Sequence, residues 1–371
     1  MSNYLLVYFI VYGLLLGTVV VFGLFCTMKK EENYISTSSS IKPEDLVVII
    51  PFRNEVHRIK TVINSLNSST VLPKEIIFVN DHSNDATVKI IEQEVNFTNY
   101  RILNLPSDVS GKKAAIRFAI QHSESELILT TDADISFHSN YFERIASLQL
   151  SDMYILPVTM KAKKFLGELY EIDLILVNAV NVGLAGIKRP IMASGANLLF
   201  NRAKFEEFDS FDTHKHIASG DDMYLLRDFR INNADVRLIS NPAFGVETET
   251  PQSFKEFIDQ RLRWLGKTGD LKDHLSSGLS IFQTLLTAFF FGLIIYYFIQ
   301  GEIGFAFILL AWKTTLDLMI FASYFNRIKR MKTWLFIPLY EILFPFYTLL
   351  ILLLILIYKP KWKSREIYFR K

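Results

Sequence analysis

Two kinds of hydrophobic pattern alternate along the chain, and they call for different solvents. Four stretches hold the roughly 20 apolar residues that a helix needs to cross the hydrocarbon core of a bilayer. Tyr4 to Met28 and Leu275 to Gly301 carry no charge at all. Ile303 to Phe325 holds Lys313 and Asp317, four apart and so on one helix face, and Thr333 to Tyr358 holds only Glu341. The first stretch has too long an apolar run for a cleaved signal peptide and no basic leader, so it reads as a retained anchor.

Between about 46 and 240 the pattern changes to short β-branched runs separated by helical spacing. Leu46–Pro51, Glu75–Asp81 and Glu126–Asp132 are apolar runs of strand length that end in polar or acidic residues. Glu55–Leu66 and Lys112–His122 between them repeat apolar residues about every 3.6 positions. Strand, helix, strand, helix predicts an α/β domain with a mostly parallel sheet and helices on both faces. Ligands of such sheets bind at the carboxyl ends of the strands, so the polar residues that follow each strand are the candidates for chemistry.

Charge orients the apolar stretches. Lys29 and Lys30 follow the first, and Arg327, Lys329, Arg330 and Lys332 precede the last, which assigns both places and the region 31–270 to the cytoplasm. The basic tail from Lys359 to Lys371 favours the same side, whereas three crossings after residue 270 put it opposite. Pro338 and Pro345 offer a resolution, a bent re-entrant hairpin in place of the last crossing. The expected layout is an anchor over 1–30, a linker over 31–45, a catalytic domain over 46–270, membrane or re-entrant helices over 271–358 and a basic tail over 359–371. The expected setting is a bacterial cytoplasmic membrane.

Composition narrows the class. Half of the 371 residues are apolar and the mean hydropathy is +0.23, which suits a chain partly solvated by lipid and excludes intrinsic disorder. The 40 basic and 38 acidic side chains nearly cancel, which argues against a nucleic-acid partner. Cys26 is the single cysteine, so no intramolecular disulfide or cysteine-rich metal site can form.

Five clusters carry candidate chemistry. Asn80 to Thr87 follows a strand and precedes a helix, where short polar residues turn and cap the chain. Gly111-Lys112 opens the next helix, and backbone N–H groups with an ammonium there suit a diphosphate, although a solvated lysine fits as well. Asp132-Ala133-Asp134 places two carboxylates just past a strand. They repel unless a cation lies between them, and Mg²⁺ or Mn²⁺ fits carboxylate and diphosphate oxygens best; an exposed turn is the alternative. Gly220-Asp221-Asp222 starts a helical pattern, where acidic residues cap or, in the case of Asp222, supply a general base. Gln260 to Trp264 lies just before the second apolar stretch. There Arg263 can neutralise a leaving diphosphate and Trp264 can stack on a sugar, or both can anchor the chain at the interface.

Taken in order, Pro51-Phe52-Arg53-Asn54-Glu55, Val79–Thr87, Gly111-Lys112, Asp132-Ala133-Asp134, Ser194-Gly195-Ala196-Asn197, Gly220-Asp221-Asp222 and Gln260–Trp264 resemble the membrane-bound family 2 glycosyltransferases. These include relatives of cellulose and hyaluronan synthases and of polyprenyl-linked sugar transferases. Trp362-Lys363-Ser364-Arg365 near the end matches as well. The resemblance implies a GT-A fold and a nucleotide-diphosphate sugar donor, a UDP-sugar first, with a divalent cation. It assigns Pro51, Asn54 and Glu55 to the nucleoside border, Asp81 to the base, and Lys112 and Asp132 to the donor. Asp134 and Asp132 take the metal, Asp222 with Asp221 beside it is the base, and Gln260, Arg263 and Trp264 line the donor and acceptor junction. Asn80 stands where the family more often has Asp, Asp221 where Glu is commoner, and Ile135 follows Asp134 where the polymerising synthases often carry a histidine. The implied activity is an inverting transfer of a hexosyl or N-acetylhexosaminyl group to a lipid-linked or membrane-proximal acceptor. A processive polysaccharide synthase is the alternative within the family, and a catalytically inactive scaffold the alternative outside it.

Overall fold

The computed structural model describes residues 3–36, 40–209, 220–270, 274–358, 361–362 and 365–366. A helical stretch opens the chain, with α1 (Asn3–Gly17) and α2 (Gly23–Tyr34) joined by a π-helical turn over Thr18–Phe22. Then come β1 (Leu46–Phe52), α3 (Ile59–Asn67), β2 (Glu75–Asn80), α4 (Thr87–Glu94), β3 (Tyr100–Asn104), α5 (Lys112–Gln121) and β4 (Leu127–Thr131). After α6 (Tyr141–Ala146) follow β5 (Met153–Ile155), β6 (Val158–Lys161), α7 (Phe165–Ala185), β7 (Asn197–Asn201) and α8 (Arg202–Phe208). The domain closes with α9 (Asp221–Ile231), β8 (Val236–Leu238), β9 (Val246–Glu249) and α10 (Phe254–Asp270). Helices follow, α11 (His274–Ile299), α12 (Ile303–Arg327), the single turn α13 (Met331–Trp334) and α14 (Ile337–Ile357), and then Lys361–Trp362 pairs antiparallel with Arg365–Glu366.

Contacts divide the chain into two units. Residues 28–161, 192–250 and 361–371 make a sheet unit, and residues 1–27, 162–191 and 251–360 make a helical one. The division differs from the expected single domain over 46–270. α7 and α10 fall with the apolar helices, because α7 buries Leu169, Ile172 and Leu174 in a long apolar helix that no strand pattern marks.

Seven strands form the sheet in the order β3-β2-β1-β4-β7-β5-β8. β3, β2, β1 and β4 run parallel, so Val48 stands beside Ile76 on one side and Leu129 on the other. β7 runs antiparallel to both β4 and β5 and gives the sheet its mixed half. β1 and β4 are buried almost throughout, as expected for strands covered on both faces. Val48, Ile50, Phe78 and Leu129 pack with Ile59, Val62 and Ile63 of α3 and Tyr141 and Phe142 of α6 into the main core.

Among the described residues, four helical stretches are long and apolar enough to cross a membrane: Tyr8–Tyr34, Leu275–Ile299, Ile303–Arg327 and Ile337–Ile355. The re-entrant hairpin does not form. α14 runs unbroken past Pro345, and Pro338 sits in its first turn, where a missing N–H breaks no intrahelical bond. Charges inside these helices face one another: Lys313 Nζ donates to Asp317 at 2.7 Å and pairs with Glu341, and the Tyr12 hydroxyl donates to Asp317 at 2.7 Å. Arg330, one of the four basic residues of the loop before α14, is paired with Glu171 of α7 at 2.8 Å.

Candidate active site

The loops that leave β1 and β2 side by side are laced together. Asn54 takes φ +50° and His82 φ +56°, left-handed conformations that few residues other than glycine and asparagine adopt. Bonds across the two loops hold them there: Asn54 N donates to Ser83 Oγ (3.1 Å), Glu55 N to Thr87 Oγ1 (2.9 Å) and Val56 N to Asp85 Oδ2 (3.2 Å). Burial raises the pKa of Asp85, but its bonds from Thr87 and Val56 outweigh that and hold it below the ordinary carboxylate value. Asp81 is buried at the end of β2, where Arg53 donates to its carbonyl at 2.7 Å and lies 3.9 Å from its carboxylate. Pro51, Asn54, Glu55 and Asp81 therefore do meet around one edge. The sequence reading missed Arg53, although it lies within the Pro51–Glu55 motif.

Lys112 stands at the first position of α5, after Gly111 at φ +102°. Its ammonium donates to Asp132 Oδ1 at 2.6 Å. Burial pulls its pKa down, but the carboxylates of Asp132, Asp221 and Asp222 outweigh burial and hold it well above the ordinary lysine value. Asp134 faces a different cation, Arg58, at 3.4 Å, and Arg58 also reaches Glu55 at 3.2 Å. The two carboxylates also have cationic side chains beside them. Each has its own basic neighbour, supplied by α5 for Asp132 and by the start of α3 for Asp134. Arg58 had no motif to mark it beyond its place three residues after Glu55.

Asp221 and Asp222 form the first turn of α9, which Gly220 enters at φ +92°. Asp222 accepts from its neighbour Met223 N at 2.8 Å and, with its other oxygen, from Gly195 N at 3.1 Å. Gly195 is there for space: a Cβ would lie 3.0 Å from Asp221 Oδ2 and 3.0 Å from Lys112 Nζ. The motifs around 112, 132, 195 and 221 thus converge on one point. Asn197, in the same motif as Gly195, is structural: it accepts from the Tyr141 hydroxyl (2.6 Å) and donates to the carbonyls of Pro157 and Phe244. A small open cleft lies beside the acidic pair, lined by Lys113, Arg117, Phe200, Phe205, Asp221 and Asp222.

Gln260, Arg263 and Trp264 lie on α10 in the helical unit. Burial lowers the pKa of Arg263, with Asp259 and Glu256 acting the other way. The same helix buries Arg261, which sequence reasoning passed over. It is 3% exposed, pairs with Asp173 at 2.6 Å and lies 4.3 Å from the Trp264 ring centre.

Residues 47–222 match the glycosyl transferase family 2 profile. A dolichyl-phosphate beta-glucosyltransferase of Trichomonas vaginalis is 33% identical over 112 residues, covering 26% of this chain and 31% of the relative's length. Among solved structures, a mannosyltransferase of Pyrobaculum calidifontis, held with GDP-mannose and Mn²⁺, superposes with a TM-score of 0.54 at 13% identity, over 92% of this chain and 99% of its own. S. aureus TarS with UDP-GlcNAc matches with a TM-score of 0.40 at 15% identity, over 88% of this chain and 97% of its own. This chain therefore carries a glycosyl transferase family 2 domain of GT-A fold, together with helices long and apolar enough to cross a membrane.

Proposed function

We propose that the chain is an inverting glycosyltransferase that moves one sugar from a nucleotide-diphosphate sugar to a lipid-linked acceptor, with Asp222 as general base. The observation that carries this is Lys112 against Asp132 at 2.6 Å, with Asp221 and Asp222 close enough to raise its pKa. A cation at the start of α5 receives a diphosphate, together with the backbone N–H groups of the helix N-terminus. Arg53, Asn54 and Asp81 line the edge where the nucleoside belongs.

The reaction needs one displacement. The acceptor oxygen forms its bond to the anomeric carbon while the bond to the diphosphate breaks, and that electron pair leaves on the diphosphate. The acceptor proton goes to Asp222, whose two oxygens are held in place by the Gly195 and Met223 N–H groups. Lys112 stays charged throughout and faces the departing anion.

Asp132 and Asp134 fit a hard divalent cation. Their side chains are 38% and 26% exposed, and among the described residues no third His, Cys, Asp or Glu completes a ligand set. Mg²⁺ and Mn²⁺ use such sites when one or two carboxylates share the ion with substrate phosphates. When bound, the ion neutralises charge on the diphosphate.

A second reading of the acceptor rests on the relative named for dolichyl phosphate. A phosphate dianion brings no proton, so transfer to it needs no general base. Incubation of the detergent-solubilised chain with a panel of nucleotide sugars and polyprenyl phosphate or glycolipid acceptors, read by mass spectrometry with and without EDTA, tests the proposal. A glycosylated lipid that disappears in EDTA is expected. Absence of transfer or hydrolysis with every donor overturns it.

A further inference from the structure

We infer that Asp173 and Tyr340 are positioning residues for Trp264, acting through Arg261. The inference rests on the reading that Gln260–Trp264 serves the acceptor. It starts from how α7 is built. This helix carries Glu168, Glu171 and Asp173 in an otherwise apolar run, and Glu171 and Asp173 are buried. Buried carboxylates need partners, and Asp173 has two. Its Oδ1 accepts from the Tyr340 hydroxyl of α14 at 2.8 Å, and its Oδ2 faces Arg261 Nε of α10 at 2.6 Å.

The guanidinium is held on its other edges as well. Arg261 donates to the Tyr170 carbonyl at 3.1 Å. Its carbon lies 4.8 Å from the Phe257 ring centre and 4.3 Å from that of Trp264. Phe257 in turn stacks on Tyr170 at 4.2 Å and 14°. Asp173, the Tyr170 carbonyl and the Phe257 ring thus enclose the guanidinium, and Trp264 rests against it.

Only arginine does this. A lysine ammonium has no plane to fix and no flat face to stack. Buried ion pairs contribute little net stability compared with apolar side chains of the same size. A stack of Phe257, Leu and Trp264 would fill this space without a charge, so the pair is better explained by the orientation that it imposes. The hydroxyl of Tyr340 carries support from the last apolar helix to Asp173, and Tyr347 of the same helix adds to it, with its hydroxyl bonded to Arg261 and its ring 5.3 Å from that of Phe257.

The test uses the full chain with Trp312, Trp334 and Trp362 replaced by Phe, so that Trp264 alone emits. Tyr340→Phe removes one hydroxyl, Asp173→Asn removes the charge and Arg261→Lys removes the plane. Each is expected to shift the Trp264 emission to longer wavelength. Displacement of a positioned group by about 1 Å can cost on the order of 100-fold, so acceptor KM is expected to rise about 10- to 100-fold with donor KM changed less than about twofold. Unchanged Trp264 emission in folded Tyr340→Phe and Asp173→Asn overturns the inference. Losses shared equally by donor and acceptor, in step with a lower Tm, overturn it too, because they mark a merely structural role. If Asp173→Asn does not fold, Tyr340→Phe decides alone. Trp264→Phe separates this inference from the reading beneath it: an unaltered acceptor KM there removes the acceptor role, while the emission shifts still judge the positioning.

Discussion

The two units use charge in opposite ways. In the sheet unit, Lys112 and Asp132 are paired with side chains 22% and 38% exposed, and the Arg58–Asp134 pair is no better shielded. In the helical unit Lys313, Asp317 and Glu341 are each less than a tenth exposed, and Arg261 is equally buried against Asp173. Exposed pairs are worth about 0–1 kcal/mol and a ligand of the right charge can replace either partner. Breaking a buried pair strands a charge and costs about 3–5 kcal/mol. The comparison separates pairs that a charged ligand can reach from clusters buried among apolar helices.

Lys313→Met should break the second kind. It leaves Asp317 and Glu341 without their cation in an apolar bundle, and a loss of about 3–5 kcal/mol in stability is expected. Thermal unfolding in detergent measures it. Replacing all three by apolar residues of similar size should restore most of the loss, whereas a single variant with unchanged Tm would erase the contrast between the units.

Lys112→Met should do the reverse, with little change in Tm and a weaker grip on the donor. Charge-assisted bonds contribute about 1.5–3 kcal/mol, so calorimetry with a nucleotide diphosphate should show a loss of about 10- to 100-fold. The pH dependence has a definite sign. The folded pKa of Lys112 is raised, so its stabilising contribution is complete below the unfolded lysine value of about 10.4 and is lost as pH rises from there through the raised value. Donor affinity should therefore not fall through Lys112 between about pH 8 and pH 10. A fall in that window that Lys112→Met abolishes would contradict the assigned pairing.

Gly195→Ala sharpens the site at finer scale. The new Cβ lies 3.0 Å from both Asp221 Oδ2 and Lys112 Nζ, so both must shift by a few tenths of an ångström. Turnover should drop about tenfold with less than about 1 kcal/mol of stability lost. At the other extreme stands Lys60, paired with Glu94 at 2.7 Å on the surface with both side chains about half exposed. Lys60→Met should change stability by less than about 1 kcal/mol and leave turnover alone, as chemical denaturation and a transfer assay can establish.

Much of the sheet unit was legible because its signals are local. β1, β2 and β4 are continuous apolar runs, and each candidate motif sits directly after a strand or at a helix start. β3 was not read, since Tyr100–Asn104 is a half-exposed edge strand with a charge in its middle. Of β7 only Asn197 falls in a motif, and nothing in its five residues says that they will run antiparallel to β4. α7 was missed for a different reason. Its acidic residues interrupt the apolar run, and their partners are far away in sequence: Arg330 is 159 positions from Glu171, and Tyr340 is 167 from Asp173. Spacing along a chain reports which residues share a face and stays silent on what that face will meet. The same limit hid Arg58 and Arg261, whose roles arise from partners brought in by folding.

The central claim is that Asp222 takes the acceptor proton while Lys112 and its neighbours hold the donor. Asp222→Asn keeps the shape of the side chain and one acceptor oxygen but removes the base. Turnover with a hydroxyl acceptor and nucleotide-diphosphate affinity should be measured together on this variant and on Asp221→Asn. The account predicts that kcat falls on the order of 10²–10⁴-fold in Asp222→Asn with donor affinity nearly unchanged, and that Asp221→Asn is milder. Near-normal turnover in folded Asp222→Asn, accompanied only by the loss of about 1 kcal/mol in stability that a helix cap explains, would contradict it.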